Sequence, residues 1–306
     1  MSNWSLAIHG GAGTIRAEEM TAEREAEHRA GLLAALEAGR AVLDAGGTAL
    51  EAVTAAVCRL EDCPLFNAGH GSTLTEAGTV EMDAAVMEGT TRAAGAVAGV
   101  MRIRNPVLAA RAVMARTPHV LLAGPAADAF AEAEGLTMAP PDYFRTEYRW
   151  QQLLRAREAR RVVLDHDIAA RMGTVGAVAR DASGGLAAAT STGGMTNKRA
   201  GRVGDSPLIG AGTWADAGVA VSCTGTGEAF IRCAAAHEVS ALMRHRGLTV
   251  QQAAEEVALR AVPASGGRGG LIALDAAGEP GIAFGTEGMY RGLLRRGRAP
   301  EVAIYR

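Results

Sequence analysis

Thr174 stands at a seam. Residues 157–172, REARRVVLDHDIAARM, are charged and irregular, whereas Val175, Ala177, Val178 and Ala179 are small or apolar. A hydroxyl therefore sits where a linker meets a buried strand, directly after Gly173. A β-branched residue at a strand head is ordinary strand chemistry, so position alone does not make it reactive. Two later loops add to it. TSTGGMTNKRAGRVGDSP (190–207) holds five hydroxyl side chains with Lys198, Arg199, Arg202 and Asp205. SCTGTGEAF (222–230) sets three hydroxyls and two glycines before a helix, whose first N–H groups can bind a negative oxygen. Singly, each loop reads as turn chemistry. With Thr174 they offer a nucleophile, a hydroxyl relay, an anion-binding turn and a charged pair.

A threonine hydroxyl is a poor nucleophile until a base takes its proton. No histidine is well placed by sequence; the nearest, His166, lies in the linker. One base needs no partner, the α-amino group of the threonine itself, which titrates near pH ~7.7–8.0 when free. Chemistry at Thr174 would then require cleavage of the Gly173–Thr174 bond. Gly173 suits that, because glycine tolerates strained backbone and leaves its carbonyl open to attack.

Other chemistries find less support. HGGAG (9–13) has a weak likeness to an oxyanion loop of α/β-hydrolases, but no G-x-S-x-G elbow accompanies it. GTGEAF (225–230) has Phe230 where a dinucleotide fingerprint wants a third glycine. There is no P-loop. His237-Glu238 lacks the second histidine of a zinc helix, His245 being eight residues on. No catalytic transition metal is expected.

The elements that must position these residues come in blocks. WSLAIHGGAG (4–13) reads as a strand ending in a glycine loop. Residues 21–45 read as a helix stopped by Gly46-Gly47, and Thr48 with Glu51 as the capping box of a second helix to Asp62. Strands follow at 79–87 and 93–103, a helix at 106–116, a strand at 119–124, and helices at 125–135 and 147–160. After the linker come strands at 174–180 and 186–190, two near 208–223, helices near 227–245 and 249–261, and strands at 270–275, 280–285 and 301–305. Blocks of both kinds in both halves predict a mixed or antiparallel sheet sandwich with helices outside, not alternating βαβ units.

The 306 residues are 48% hydrophobic and 21% charged, with a formal net charge of −2. That is an ordinary globular composition. No basic run argues for nucleic acid, and no 18-residue apolar run for a membrane span. The N-terminus lacks the pattern of a secretory signal, so the cytoplasm is expected. Cys58, Cys63, Cys223 and Cys233 are too few and scattered for a disulfide scaffold.

Several long motifs in order along nearly the whole chain resemble the plant-type L-asparaginases/isoaspartyl aminopeptidases, which are Ntn-hydrolases. They are AIHGGAG (7–13), LEDCPLFNAGHGS (60–72), MDAAVMEG (82–89), AGAVAGV (94–100), NPVLAARAVM (105–114), MGTVGAVARD (172–181), TSTGGMTNK (190–198), GRVGDSP (201–207), CTGTGEAFIR (223–232), GGLIALDAAG (269–278) and TEGMYRG (286–292). The resemblance implies an α+β fold, an αββα sandwich, made as a precursor that cuts itself between Gly173 and Thr174. Residues 1–173, ending in a linker of about 157–173, would form the α chain and 174–306 the β chain of one structural domain. The chains would stay associated, as a dimer of heterodimers. The activity implied is hydrolysis of L-asparagine and β-aspartyl dipeptides, with no cofactor for catalysis. Thr174 would be the nucleophile, Thr192 its hydrogen-bond partner, and Thr224 with the Gly225 N–H the oxyanion hole, with Asn67 nearby. Arg202 and Asp205 would hold the substrate's α-carboxylate and α-amino group, the Gly227 carbonyl assisting. A structural sodium ion would sit on the backbone carbonyls of Leu60, Glu61, Cys63, Phe66, Ala68 and His70. His70 departs from the aliphatic residue usual there. Two other readings keep the scaffold: an uncleaved amino-acid-binding protein, and an enzyme acting on glycosylated asparagine.

Overall fold

The computed structural model describes residues 3–159 and 173–306. Twelve strands run in chain order: β1 (Ser5–Gly13), β2 (Met82–Glu88), β3 (Ala94–Val100), β4 (Leu121–Ala123), β5 (Val175–Arg180), β6 (Leu186–Thr192), β7 (Thr213–Ala215), β8 (Val219–Gly225), β9 (Gly269–Asp275), β10 (Pro280–Phe284), β11 (Gly288–Arg295) and β12 (Glu301–Tyr305). They form an eight-stranded sheet, β12-β11-β1-β5-β6-β2-β3-β4, and a four-stranded sheet, β10-β9-β8-β7. All named pairings are antiparallel except β3 with β4.

Helices α1 (Ala22–Asp44), α2 (Ala49–Glu61) and α3 (Pro106–Arg116) cover the outer face of the large sheet. The Thr48–Glu51 capping box that the sequence predicts starts α2. Helices α4 (Gly124–Ala133), α5 (Pro141–Phe144) and α6 (Glu147–Ala159) complete the first half. In the second half, α7 (Gly227–Arg232), α8 (Ala235–Arg246) and α9 (Val250–Glu256) follow β8, and α8 and α9 cover the small sheet. The inner faces of the two sheets meet through Ala7, Val178, Ala188, Ala220, Ile272 and Leu274. The result is the expected αββα sandwich. Because both faces of each sheet are covered, β5, β6 and β9 are buried along almost their whole length. Their sequences are accordingly runs of small and apolar residues rather than alternating ones.

Four expectations need adjustment. The helix read over 227–245 is two helices, because Ala234 takes a left-handed φ of 47° between them. The helix read to 261 continues to Ala264, widening over residues 257–261. Strand β11 was not foreseen: its glycines and two arginines hide a strand that pairs with both β1 and β12. Of the linker read over 157–173, residues 157–159 end helix α6, and residues 160–172 lie outside the described residues.

Candidate active site

Strand register brings the two threonines together. Val175 on β5 faces Ser191 on β6, so Thr174, one residue before, meets Thr192, one residue after. The Thr174 hydroxyl donates to Thr192 Oγ1 at 3.2 Å. Thr192 Oγ1 also accepts from the Gly194 N–H at 2.9 Å and donates to the Gly173 carbonyl at 3.2 Å. The same carbonyl receives Asn67 Nδ2 at 2.6 Å. Asn67 is held in turn, because its Oδ1 accepts the Thr73 N–H at 2.8 Å. The carbonyl before Thr174 is thus polarised by two donors.

The glycine-rich end of β1, irregular between His9 and Gly11, makes room for this bond. Gly11 has φ 109°, and a Cβ on it would lie 2.7 Å from Gly173 Cα. Only glycine satisfies both the conformation and the contact. From the facing sheet, Thr224 at the end of β8 accepts the Ala12 N–H on its Oγ1 at 3.2 Å. Thr224 is fully buried, and its hydroxyl proton remains to be donated.

Gly173, Thr174, Thr192, Arg202, Asp205 and Gly225 line one small cavity of about 10 Å³, room for roughly one water. Gly227 backs it: a Cβ there would lie 2.8 Å from Arg202 Nη2 and 2.9 Å from Asp205 Oδ1. Arg202 and Asp205 line one cavity, as their spacing suggested, but they are not each other's ion pair. Arg202 is gripped by Glu228 in the first turn of α7, Nε and Nη2 each at 2.9 Å from a carboxylate oxygen. Asp205 is buried with Oδ2 unpartnered among the described residues. Burial pushes its carboxyl up to about 7, against the pull of its own backbone N–H and of the Arg202 charge.

His9, which sequence reasoning missed, is hydrogen-bonded to Thr174. It lies on β1 opposite Gly176. Its Nδ1 is 2.9 Å from the Thr174 carbonyl, which can only accept, so Nδ1 carries the proton. Nε2 then accepts from Ser222 Oγ at 2.9 Å. Ser222 contacts Thr190 at 2.7 Å, and Thr213 donates to Thr190 at 2.7 Å. Burial pushes the imidazole down to about 3, so it stays neutral and its tautomer stays fixed. The signal was one polar residue inside an otherwise apolar strand. Glu228 was missed too, since its link to Arg202 spans 26 residues that include β7 and β8.

The loop read as an ion site carries Asn67. The carbonyls of Leu60, Cys63, Phe66 and Ala68 accept backbone N–H groups within the loop at 3.2, 3.3, 3.0 and 3.1 Å. A Cβ on Gly69 would lie 2.5 Å from the Glu61 carbonyl oxygen, and one on Gly71 2.1 Å from the Phe66 carbonyl oxygen. The glycines let the chain pack directly against those carbonyl oxygens. The His70 ring stacks on Tyr143 at 4.4 Å. Buried Glu61 accepts Ser191 Oγ at 2.6 Å, tying the loop to β6, and burial pushes its carboxyl up to about 8.

Comparison with known proteins agrees with this arrangement. A family model described as asparaginase matches residues 2–304. The isoaspartyl peptidase of Salmonella typhimurium is 54% identical over the full length of both chains. That of Escherichia coli is 53% identical over 98% of this chain and 96% of its own. A plant-type L-asparaginase of Pyrococcus abyssi is 42% identical over 98% and 99%. With a threonine hydroxyl behind a polarised glycine carbonyl in a two-sheet sandwich, the chain belongs to the asparaginase family of Ntn-hydrolases.

Proposed function

We propose that this protein is a threonine hydrolase of L-asparagine and β-aspartyl dipeptides, activated by cutting its own Gly173–Thr174 bond. The observation that carries this is the Thr174 hydroxyl at 3.2 Å from Thr192, beside a carbonyl that already receives Asn67 and Thr192. In the cut, Thr174 Oγ adds to the Gly173 carbonyl carbon, and the oxyanion is held by Asn67 Nδ2 and the Thr192 hydroxyl. The C–N bond breaks, the amine takes a proton, and water then hydrolyses the ester. The new α-amine becomes the base for Thr174 in each later turnover. Before the cut, the cavity with Arg202 and Asp205 is too small for a β-aspartyl group, and Gly173 is one of its walls.

In turnover, Asp205 takes the substrate ammonium and Arg202 its α-carboxylate, with the Gly227 carbonyl beside them. Thr224 Oγ–H and the Gly225 N–H receive the oxyanion. Relatives at 46–54% identity are named isoaspartyl peptidase or isoaspartyl peptidase/L-asparaginase, which favours asparagine and β-aspartyl dipeptides over glycosylated asparagine. A sodium ion on the carbonyls of residues 60–70 would be structural, fixing Asn67. The four free cysteines suit the cytoplasm, and no described helix is long and apolar enough to cross a membrane. Two αβ units would associate as a dimer. Intact-mass measurement tests the core of the reading. The wild type should yield two fragments and turn over β-Asp-Leu. Thr174→Ala should stay one chain of 31.4 kDa without activity, and an alanine variant that still splits at 173/174 refutes the mechanism.

A further inference from the structure

A second cavity, of about 110 Å³, also has Gly173 and Asn67 in its wall. It and the Arg202–Asp205 cavity therefore share Gly173 and adjoin the same scissile position. Its character differs. Arg16, Arg24 and Arg149 line it, and none of its described lining residues is acidic. One wall is apolar and aromatic: His28 stacks on Tyr290 at 4.6 Å and 7°, and burial pushes that imidazole down, towards its neutral form. The Arg24 guanidinium lies over the Tyr148 ring at 4.6 Å, which orients its plane without neutralising its charge. Arg149 is buried, with Nε donating to the Gly71 carbonyl at 2.6 Å, and its guanidinium lies 5.4 Å from the same Tyr148 ring.

A β-aspartyl dipeptide has two halves. The acyl half fills the Arg202–Asp205 cavity, so the leaving residue must extend elsewhere from the scissile carbonyl. That residue carries one side chain and one free carboxylate. Resting on the activity proposed above, we propose that the cavity of Arg16, Arg24 and Arg149 binds the leaving residue. The Arg24 guanidinium receives its terminal carboxylate, and the His28–Tyr290 wall its side chain. Cutting at Gly173 releases the wall common to both cavities, so acyl and leaving subsites become continuous at Thr174. The protein would then be selective for dipeptides with a free C-terminus, because amidation or chain extension removes the charge that Arg24 reads.

The test compares β-Asp-Leu with β-Asp-Leu amide as a ratio of kcat/KM within each enzyme, which cancels any change in folded fraction. The mature wild type should prefer the free acid about tenfold. Arg24→Gln should bring the ratio close to one, and Arg24→Lys should keep part of it. A wild-type ratio near one, or a ratio unchanged in Arg24→Gln, overturns the subsite while leaving the hydrolase itself standing. If neither dipeptide nor asparagine is hydrolysed after complete self-cleavage, the proposed activity fails and the subsite with it.

Discussion

Arg202→Lys separates substrate recognition from self-cleavage. A guanidinium has five N–H donors in a fixed plane. Glu228 takes two of them, at 2.9 Å each from Nε and Nη2, and so fixes that plane with Nη1 towards Gly204. Three donors remain on the edge that can face a carboxylate. Lysine offers one compact ammonium, which cannot hold Glu228 in a fork and grip a substrate carboxylate in parallel. The substitution thus removes one or two charge-assisted hydrogen bonds, each worth about 1.5–3 kcal/mol. A net loss of roughly 2–3 kcal/mol corresponds to about 30- to 150-fold in kcat/KM. The proposed cut at Gly173 would use Asn67 and Thr192, which donate to its carbonyl, rather than Arg202, so its rate should change much less. The assay follows fragment appearance on a denaturing gel, then steady-state hydrolysis of β-Asp-Leu by the matured variant. Parental kcat/KM in a normally cleaved Arg202→Lys protein refutes the assignment of this residue to the substrate carboxylate.

Three further outcomes are expected. His9→Ala removes the donor to the Thr174 carbonyl and the acceptor of Ser222, so it should slow self-cleavage and cost about 2 kcal/mol, several degrees of Tm; calorimetry showing an unchanged Tm counts against the network. Asp205, raised to about 7 by burial, must be ionised to hold the substrate ammonium. kcat/KM for β-Asp-Leu should therefore fall about tenfold per pH unit below 7, or more steeply because the Thr174 amine protonates in the same range, and a profile flat down to pH 5 contradicts this. Replacing sodium with a bulky organic cation should lower Tm if residues 60–70 hold the ion, by about 2.7 kcal/mol of stability when sodium stands at a hundredfold its Kd; identical melting in both buffers removes the ion from the account.

Local chemistry was legible and pairing was not. The capping box at Thr48–Glu51, the proline starts of α3 and α4 and the apolar runs of β5 and β6 depend on near neighbours, and their elements fall close to where the residues place them. The strand β6 was read only to Thr190, two residues short, which concealed that its end lies opposite Thr174. His9–Ser222 and Arg202–Glu228 join residues far apart in sequence, so only register and packing reveal them. The hydroxyl-rich loops marked the site, yet Asp205's lack of a partner and its raised carboxyl arise from burial that no short motif encodes.

The order of strands in the large sheet bears on what the proposed self-cleavage would do to the protein. β1 belongs to the part before Thr174, yet both its neighbours, β5 and β11, come from the part after it. Under the proposed self-cleavage, the large sheet would pair strands from both sides of the Gly173–Thr174 bond before the cut. After that cut, the two pieces would be held by hydrogen bonds and packing, the four cysteines being free. Unfolding then becomes a dissociation, and recovery a second-order encounter between two chains, each lacking partners for its strands. Mature material should refold poorly and in a concentration-dependent way after denaturant, whereas uncut Thr174→Ala should recover by a first-order path. The working form would owe its persistence to slow opening rather than to easy return.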